Sequence, residues 1–202
     1  MKREGLTIIL SAPSGAGKTS LCRELFKVFP DIRESVSYTT RKPRAGEVEG
    51  EAYHFVSGEE FRRMVDEDAF AEWAEVHGNM YGTALSTLEE ARKKGVDLVL
   101  DIDCQGALKL KELFEGGIYI FILPPSMAEL RRRLEERSTD AQEVIELRIS
   151  RAADEIKEAR WYDYIIINDD FETACRELSA IVIAHRRKTF RMMEQVGNLF
   201  DI

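Results

Sequence analysis

"LSAPSGAGKTS", Leu10 to Ser20, decides the fold of this 202-residue chain. An apolar run, "LTIIL" from Leu6, leads into it, and the helically spaced "KTSLCRELFKVF" follows until Pro30 stops it. Between strand and helix lies a near match to G-x-x-x-x-G-K-[ST], a loop that cradles the phosphates of a nucleoside triphosphate. Gly15 and Gly17 free the backbone to turn its N–H groups towards oxygen anions. The helix start adds the positive end of its dipole. Lys18 can reach the outer phosphates, and the Thr19 hydroxyl suits Mg²⁺. Ala12, Pro13, Ser14, Gly15, Ala16, Gly17, Lys18, Thr19 and Ser20 are therefore the expected ATP-binding loop. Ala12 replaces the first glycine of the pattern, which is harmless if its φ is negative.

Working outward, "DLVLDID" (Asp97 to Asp103), "IYIFIL" (Ile118 to Leu123) and "YIIIN" (Tyr164 to Asn168) are further short Ile/Val/Leu runs separated by helical stretches. That alternation predicts an α/β fold, a parallel sheet covered by helices on both faces. Asp101 directly follows an apolar run, where an acidic strand end suits the second shell of the loop's Mg²⁺. Capping boxes are read at Ser57 with Glu60, Ser86 with Glu89, and Ser126 with Glu129. Gly95 reads as a left-handed helix end. A last helix from about Phe171 carries Ala174, Leu178, Ile181 and Val182 on one face, and its basic end "HRRKTFR" has two readings, the helix dipole or a partner, of which the first is favoured.

Composition bounds the function. Apolar residues make up 44 % and charged residues 33 %, as in ordinary globular proteins. No apolar run approaches the ~18 residues that span a bilayer, and the expectation is a cytoplasmic protein with no membrane partner. With 29 Lys and Arg against 37 Asp and Glu, the net charge of −8 argues against nucleic acid as a partner. Cys22, Cys104 and Cys175 are too far apart to suggest a disulfide framework or a zinc site, so they are read as reduced and partly buried.

Two stretches break the alternation and are read as insertions standing off the core: residues 35–83, which are polar, aromatic and glycine-punctuated, and residues 126–150, an arginine- and glutamate-rich helical segment. The rest, 1–34, 84–125 and 151–202, is read as core. In an acidic chain, Arg41, Lys42 and Arg44 gathered around a proline imply an anion. Two guanidinium forks with the Tyr53 phenol suit a dianionic phosphate. In "FAEWAEVHGNMYGTA" (Phe70 to Ala84), Glu72 and Glu75 lie among apolar residues. A buried carboxylate needs hydrogen-bond donors, and guanine offers two adjacent ones, N1–H and the N2 amine. The residues alone leave open which glutamate serves. A guanine-reading GTPase is disfavoured, because the chain contains no Asn-Lys pair.

Together, "APSGAGK", "VSYTTRKPRAGEVEGEAYHFV", "GNMYGT", "LDIDCQGA", "FILPPS" and "VIELRIS" make the chain resemble the guanylate kinase family over nearly its whole length. The resemblance implies a P-loop nucleotide-kinase fold whose insertions are a GMP-binding region, 35–83, and a lid, 126–150. It implies MgATP and GMP as substrates, with Ser37, Glu72, Thr83 and Asp103 on the guanine and Arg41, Arg44, Tyr53 and Tyr81 on the GMP phosphate. Lys18, Arg137 and Arg148 would be catalytic, with Arg133 a further lid arginine. Ser138 stands where many members have glycine after the arginine. Two rival readings are a non-catalytic scaffold domain of the same fold, which typically loses phosphate-loop residues that this chain keeps, and a kinase of another small phosphorylated substrate. The sequence sets no oligomeric state.

Overall fold

In β1 (Thr7–Ser11) consecutive side chains enter opposite layers, because a strand has a period of two. Ile8 and Leu10 pack with Leu21 and Leu25 of α1 (Lys18–Val28) and with Leu178 and Val182 of α7 (Phe171–Arg186). Ile9 faces the other way, onto Ala107 and Leu110 of α4 (Cys104–Leu113), Leu88 of α3 (Leu85–Lys94) and Tyr162. The structure, a computed structural model, describes residues 4–76, 78–114, 116–136 and 142–201.

The main sheet has five strands in the order β2 (Arg33–Glu34), β7 (Leu98–Asp101), β1, β8 (Gly117–Leu123) and β9 (Tyr164–Ile167). Every pairing is parallel. The three later apolar runs are strands, as expected, and β2 is an edge strand too short for its pattern to announce itself. The phosphate loop leaves the carboxyl end of the central strand β1. Chain connections depart to both sides there, which is where open α/β sheets bind ligands.

Residues 38–84 build a second sheet of four strands, in the order β4 (His54–Phe55), β3 (Tyr38–Thr39), β6 (Asn79–Ala84) and β5 (Phe70–Val76). Its helix α2 (Gly58–Asp66) drives Phe61 against Phe70, ring centroids 4.5 Å apart. The arginine-rich segment forms α5 (Met127–Glu136) and the start of α6 (Gln142–Lys157), which runs on past residue 150. Leu130, Leu134, Ile145 and Ala152 give this pair its own small core.

Ser57 and Ser126 cap their helices, accepting from the Glu60 and Glu129 amides. Ser86 does not. Strand β6 runs to Ala84, the Leu85 amide is taken by the Ala69 carbonyl, and α3 starts there with Ser86 already inside its first turn. Gly95 ends α3 with φ 74°. The helix from Phe171 is not the last: the chain turns at Arg187 and continues as α8 (Thr189–Phe200). The basic end is spent on particular partners, since Arg186 holds Asp97 at 2.7 Å and Asp31 at 2.8 Å. All three cysteines are free thiols, Cys22 and Cys104 buried and Cys175 partly so.

Candidate functional site

Gly15 and Gly17 have φ of 96° and 97°, the left-handed region that only glycine enters cheaply. Among the described residues the non-glycine positive-φ positions are Asp68 and Asp201, so Ala12 is unstrained. The α1 N-terminus has no side-chain cap, which leaves the Lys18 and Thr19 amides to a ligand. The Lys18 ammonium ion-pairs with Asp101 and donates to the Ile102 carbonyl at 3.2 Å. The loop from Ala12 to Ser20 forms one wall of an open cleft of about 1000 Å³. Asp101, Asp103 and Cys104 also line it, as do Arg148 and Arg151 of α6. Burial pushes the Cys104 thiol up to about 11, so this cysteine is no nucleophile at neutral pH.

The second sheet settles which glutamate is buried. Glu72 is 6 % exposed, whereas Glu75 stands exposed at the cleft. Thr83, opposite Glu72 in the β5–β6 register, donates its hydroxyl to that carboxylate at 2.6 Å. The Ser37 hydroxyl lies 3.5 Å from that of Thr83. Burial raises the Glu72 carboxyl to about 7, against the opposing pull of the Thr83 hydrogen bond; nearby Asp103 adds to the rise. Asp103 itself caps α4, accepting from the Gly106 amide at 2.8 Å.

Arg41, Tyr53 and Tyr81 also come together. The Arg41 guanidinium lies 5.3 Å from the Tyr53 ring centroid, and the Tyr53 and Tyr81 rings meet edge-on at 5.9 Å. Glu47, which the sequence reading passed over, grips Arg41 bidentately at 3.0 and 2.8 Å and also accepts from the Arg44 amide. The Arg44 side chain is exposed beside this group. Arg41, Glu47, Tyr53 and Tyr81 are thus one cluster, and Ser37, Glu72, Thr83 and Asp103 another.

Arg148 lines the cleft; Arg137 and Ser138 lie outside the described residues. Arg133 is engaged with Glu129 at 2.7 Å and the Asn168 carbonyl at 2.9 Å. Two more residues gain roles that sequence reasoning missed. A Cβ on Gly106 would come within 2.5 Å of the Glu72 carboxylate, so glycine there permits the close approach. Asn168 reaches the phosphate loop; its only sequence signal was a polar residue at the carboxyl end of an apolar strand.

The donor set suits Mg²⁺. Among the described residues no three His, Cys, Asp or Glu side chains form a metal cage. Mg²⁺ does not need one, because it keeps waters and takes substrate phosphates with one or two protein oxygens. Thr19 and Asp101, both on the cleft wall, are oxygen donors of that kind.

A family model described as guanylate kinase matches residues 4–185. The chain is 63 % identical to a guanylate kinase of Geobacter metallireducens and 62 % identical to one of Geobacter sulfurreducens, in each case over all of both chains. Among solved structures, a guanylate kinase from Anaplasma phagocytophilum is similar with a TM-score of 0.76 at 39 % identity, covering 100 % of this chain and 98 % of that one.

Proposed function

The chain belongs to the guanylate kinase family and phosphorylates GMP at the expense of ATP; from that premise we propose how its residues divide the work. The loop from Ala12 to Ser20 holds the ATP phosphates, with Lys18 on the outer ones. Thr19 would hold Mg²⁺ directly, with Asp101 in support from the second shell. When bound, the ion would supply positive charge that offsets the charge of the phosphates. We place the enzyme in the cytoplasm; no helix among the described residues is long and apolar enough to cross a membrane.

GMP lies opposite. Glu72, Thr83, Ser37 and Asp103 read the guanine edge, and Arg41, Arg44, Tyr53 and Tyr81 hold its phosphate. The observation that carries this reading is the buried Glu72 carboxylate, 6 % exposed, whose Thr83 partner satisfies only part of its capacity. A carboxylate so buried is costly unless further donors arrive, and the guanine N1–H and N2 amine are such donors. Adenine lacks that pair, so the wrong base leaves Glu72 with Thr83 alone, a penalty that can reach ~10⁴ in specificity.

Transfer is in line between the two nucleotides, with no covalent enzyme intermediate. The acceptor oxygen of GMP is already anionic, so no general base is required. Positioning and positive charge do the catalysis. Lys18 and Arg148, and by resemblance Arg137, surround the transferring group. Closure of region 126–150 excludes water, which would otherwise accept the phosphoryl group. A panel of GMP, dGMP, AMP, CMP and UMP with MgATP, followed by ADP release, tests the reading. Turnover confined to the guanine nucleotides supports it; comparable turnover of AMP would refute the role of Glu72.

A further inference from the structure

The phosphate loop is braced from behind by a residue that no motif marks. Asn168 follows β9 and is 5 % exposed. Its side-chain Nδ2 donates to the Ala16 carbonyl at 2.8 Å, across 152 residues of sequence. Its backbone is pinned on both sides: the amide donates to the Leu123 carbonyl at 2.7 Å, and its own carbonyl accepts from Arg133 of α5 at 2.9 Å. Helix α5 adds a second brace, since Leu130 and Leu134 lie 3.0 and 3.1 Å from where a Cβ of Gly15 would stand.

The Asn168 contact has a consequence for the other side of the loop. Ala16 and Gly17 share one peptide plane, and no peptide bond here is cis. In a trans peptide the C=O and N–H point in opposite directions. Holding the Ala16 carbonyl back towards Asn168 therefore turns the Gly17 N–H away from it. Backbone bonds within the loop use the amides of Ala16, Ser20 and Leu21, and among the described residues none uses that of Gly17, Lys18 or Thr19. Only a donor can face a carbonyl, so the amide of Asn168 suits the place where a carboxylate would not. The fit is also tight: a Cβ on Gly17 would stand 2.3 Å from Nδ2, so residue 17 is held to glycine by this contact as well as by its φ.

We infer that Asn168 is a positioning residue for the phosphoryl donor: it fixes the 16–17 peptide so that the loop presents its amides to the ATP phosphates. The inference rests on the reading of this loop as the ATP site. The test compares Asn168→Ala and Asn168→Asp with the parent, measuring KM for MgATP, KM for GMP, kcat and Tm. The aspartate keeps the shape but, when ionised, offers no donor to Ala16. Both variants should raise the ATP KM by about tenfold or more, the effect of one lost, well-aligned buried hydrogen bond, and leave the GMP KM within about twofold. Lowering the pH should protonate the introduced aspartate, restore an O–H donor and bring the ATP KM of Asn168→Asp back towards that of the parent at the same pH. A purely structural role would lower Tm without this split or this recovery. An ATP KM within about twofold of the parent in both variants, or an equal rise for both substrates, overturns the inference. So does failure of both variants to fold, which would make Asn168 a residue of the fold alone. Lys18→Ala serves as the control: if it too handles ATP like the parent, the reading of the loop fails and not the placement of Asn168.

Discussion

The proposed donor and acceptor sites are built on opposite plans. The donor loop is nine consecutive residues, and its chemistry is mostly backbone: amides turned by Gly15 and Gly17, a helix end, and Lys18. The acceptor half is side chains brought from separate places: Ser37 and Arg41 near β3, Tyr53 before β4, Glu72 on β5, Tyr81 and Thr83 on β6, and Asp103 and Gly106 at the start of α4. A site made of backbone tolerates side-chain change, as Ala12 illustrates. A site made of converging side chains depends on every spacing that brings them together. Donor variants should therefore fail in the charge clamp, and acceptor variants in recognition of one substrate.

The sharpest break is Lys18→Ala. Removing the one lysine of the donor loop should cut kcat on the order of 10²–10³-fold, with Tm shifted only slightly because Lys18 is not part of the core. Steady-state kinetics and a thermal melt read both. Glu72→Gln comes next on the acceptor side. The GMP KM should rise on the order of 10²-fold while the ATP KM stays put, since the amide presents one acceptor where the carboxylate presents two. Equal losses for both substrates would erase the contrast between the halves.

Gly106→Ala tests whether the acceptor half needs its spacing. Its Cβ would press on the Glu72 carboxylate, and a displacement of that size should raise the GMP KM by about tenfold with ATP unaffected. The pH dependence follows from Glu72 itself. Burial raises its carboxyl from 4.5 to about 7, so the free enzyme carries this group mainly as carboxylate only above that pH. The kcat/KM for GMP should climb through pH 7 and level off above it, and Glu72→Gln should lack that limb. The stability sign is opposite. Between 4.5 and about 7 the folded state binds the extra proton, so stability falls as pH rises through this window. Glu72→Gln should flatten that slope and melt higher than the parent at pH 8. The smallest effect is expected at Arg131→Ala, which removes an exposed bridge from α5 to Glu146 on α6; Tm should move by no more than about 2 °C.

The same contrast explains what was legible in the sequence. The strand–loop–helix at Leu10 to Ser20 and the three later apolar runs could be read because each carries its signal within a few residues. The buried sheet made those runs continuous and the glycines made the loop. The basic cluster at Arg41 showed itself as charge against an acidic background, but Glu47, its grip, looked like one more acidic residue of that background. Glu72 and Glu75 could not be told apart by composition, because both sit among apolar neighbours in one strand. Ser86 misled because its spacing to Glu89 met the capping rule, while the Ala69 carbonyl, distant in sequence, had already set the start of the helix.

By itself the sequence determined the α/β class and, through the ordered motifs, the family, and it marked the glycine loop at Ala12 to Ser20 and the basic cluster at Arg41. These rest on backbone geometry and periodicity, which are properties of neighbouring residues. Only the tertiary structure decided that Glu72 is the buried carboxylate, that Gly106 leaves room for it, and that Asn168 braces Ala16 from 152 residues away. Burial and close approach sum over residues that the chain holds far apart, and they exist only once the sheets have brought those residues together.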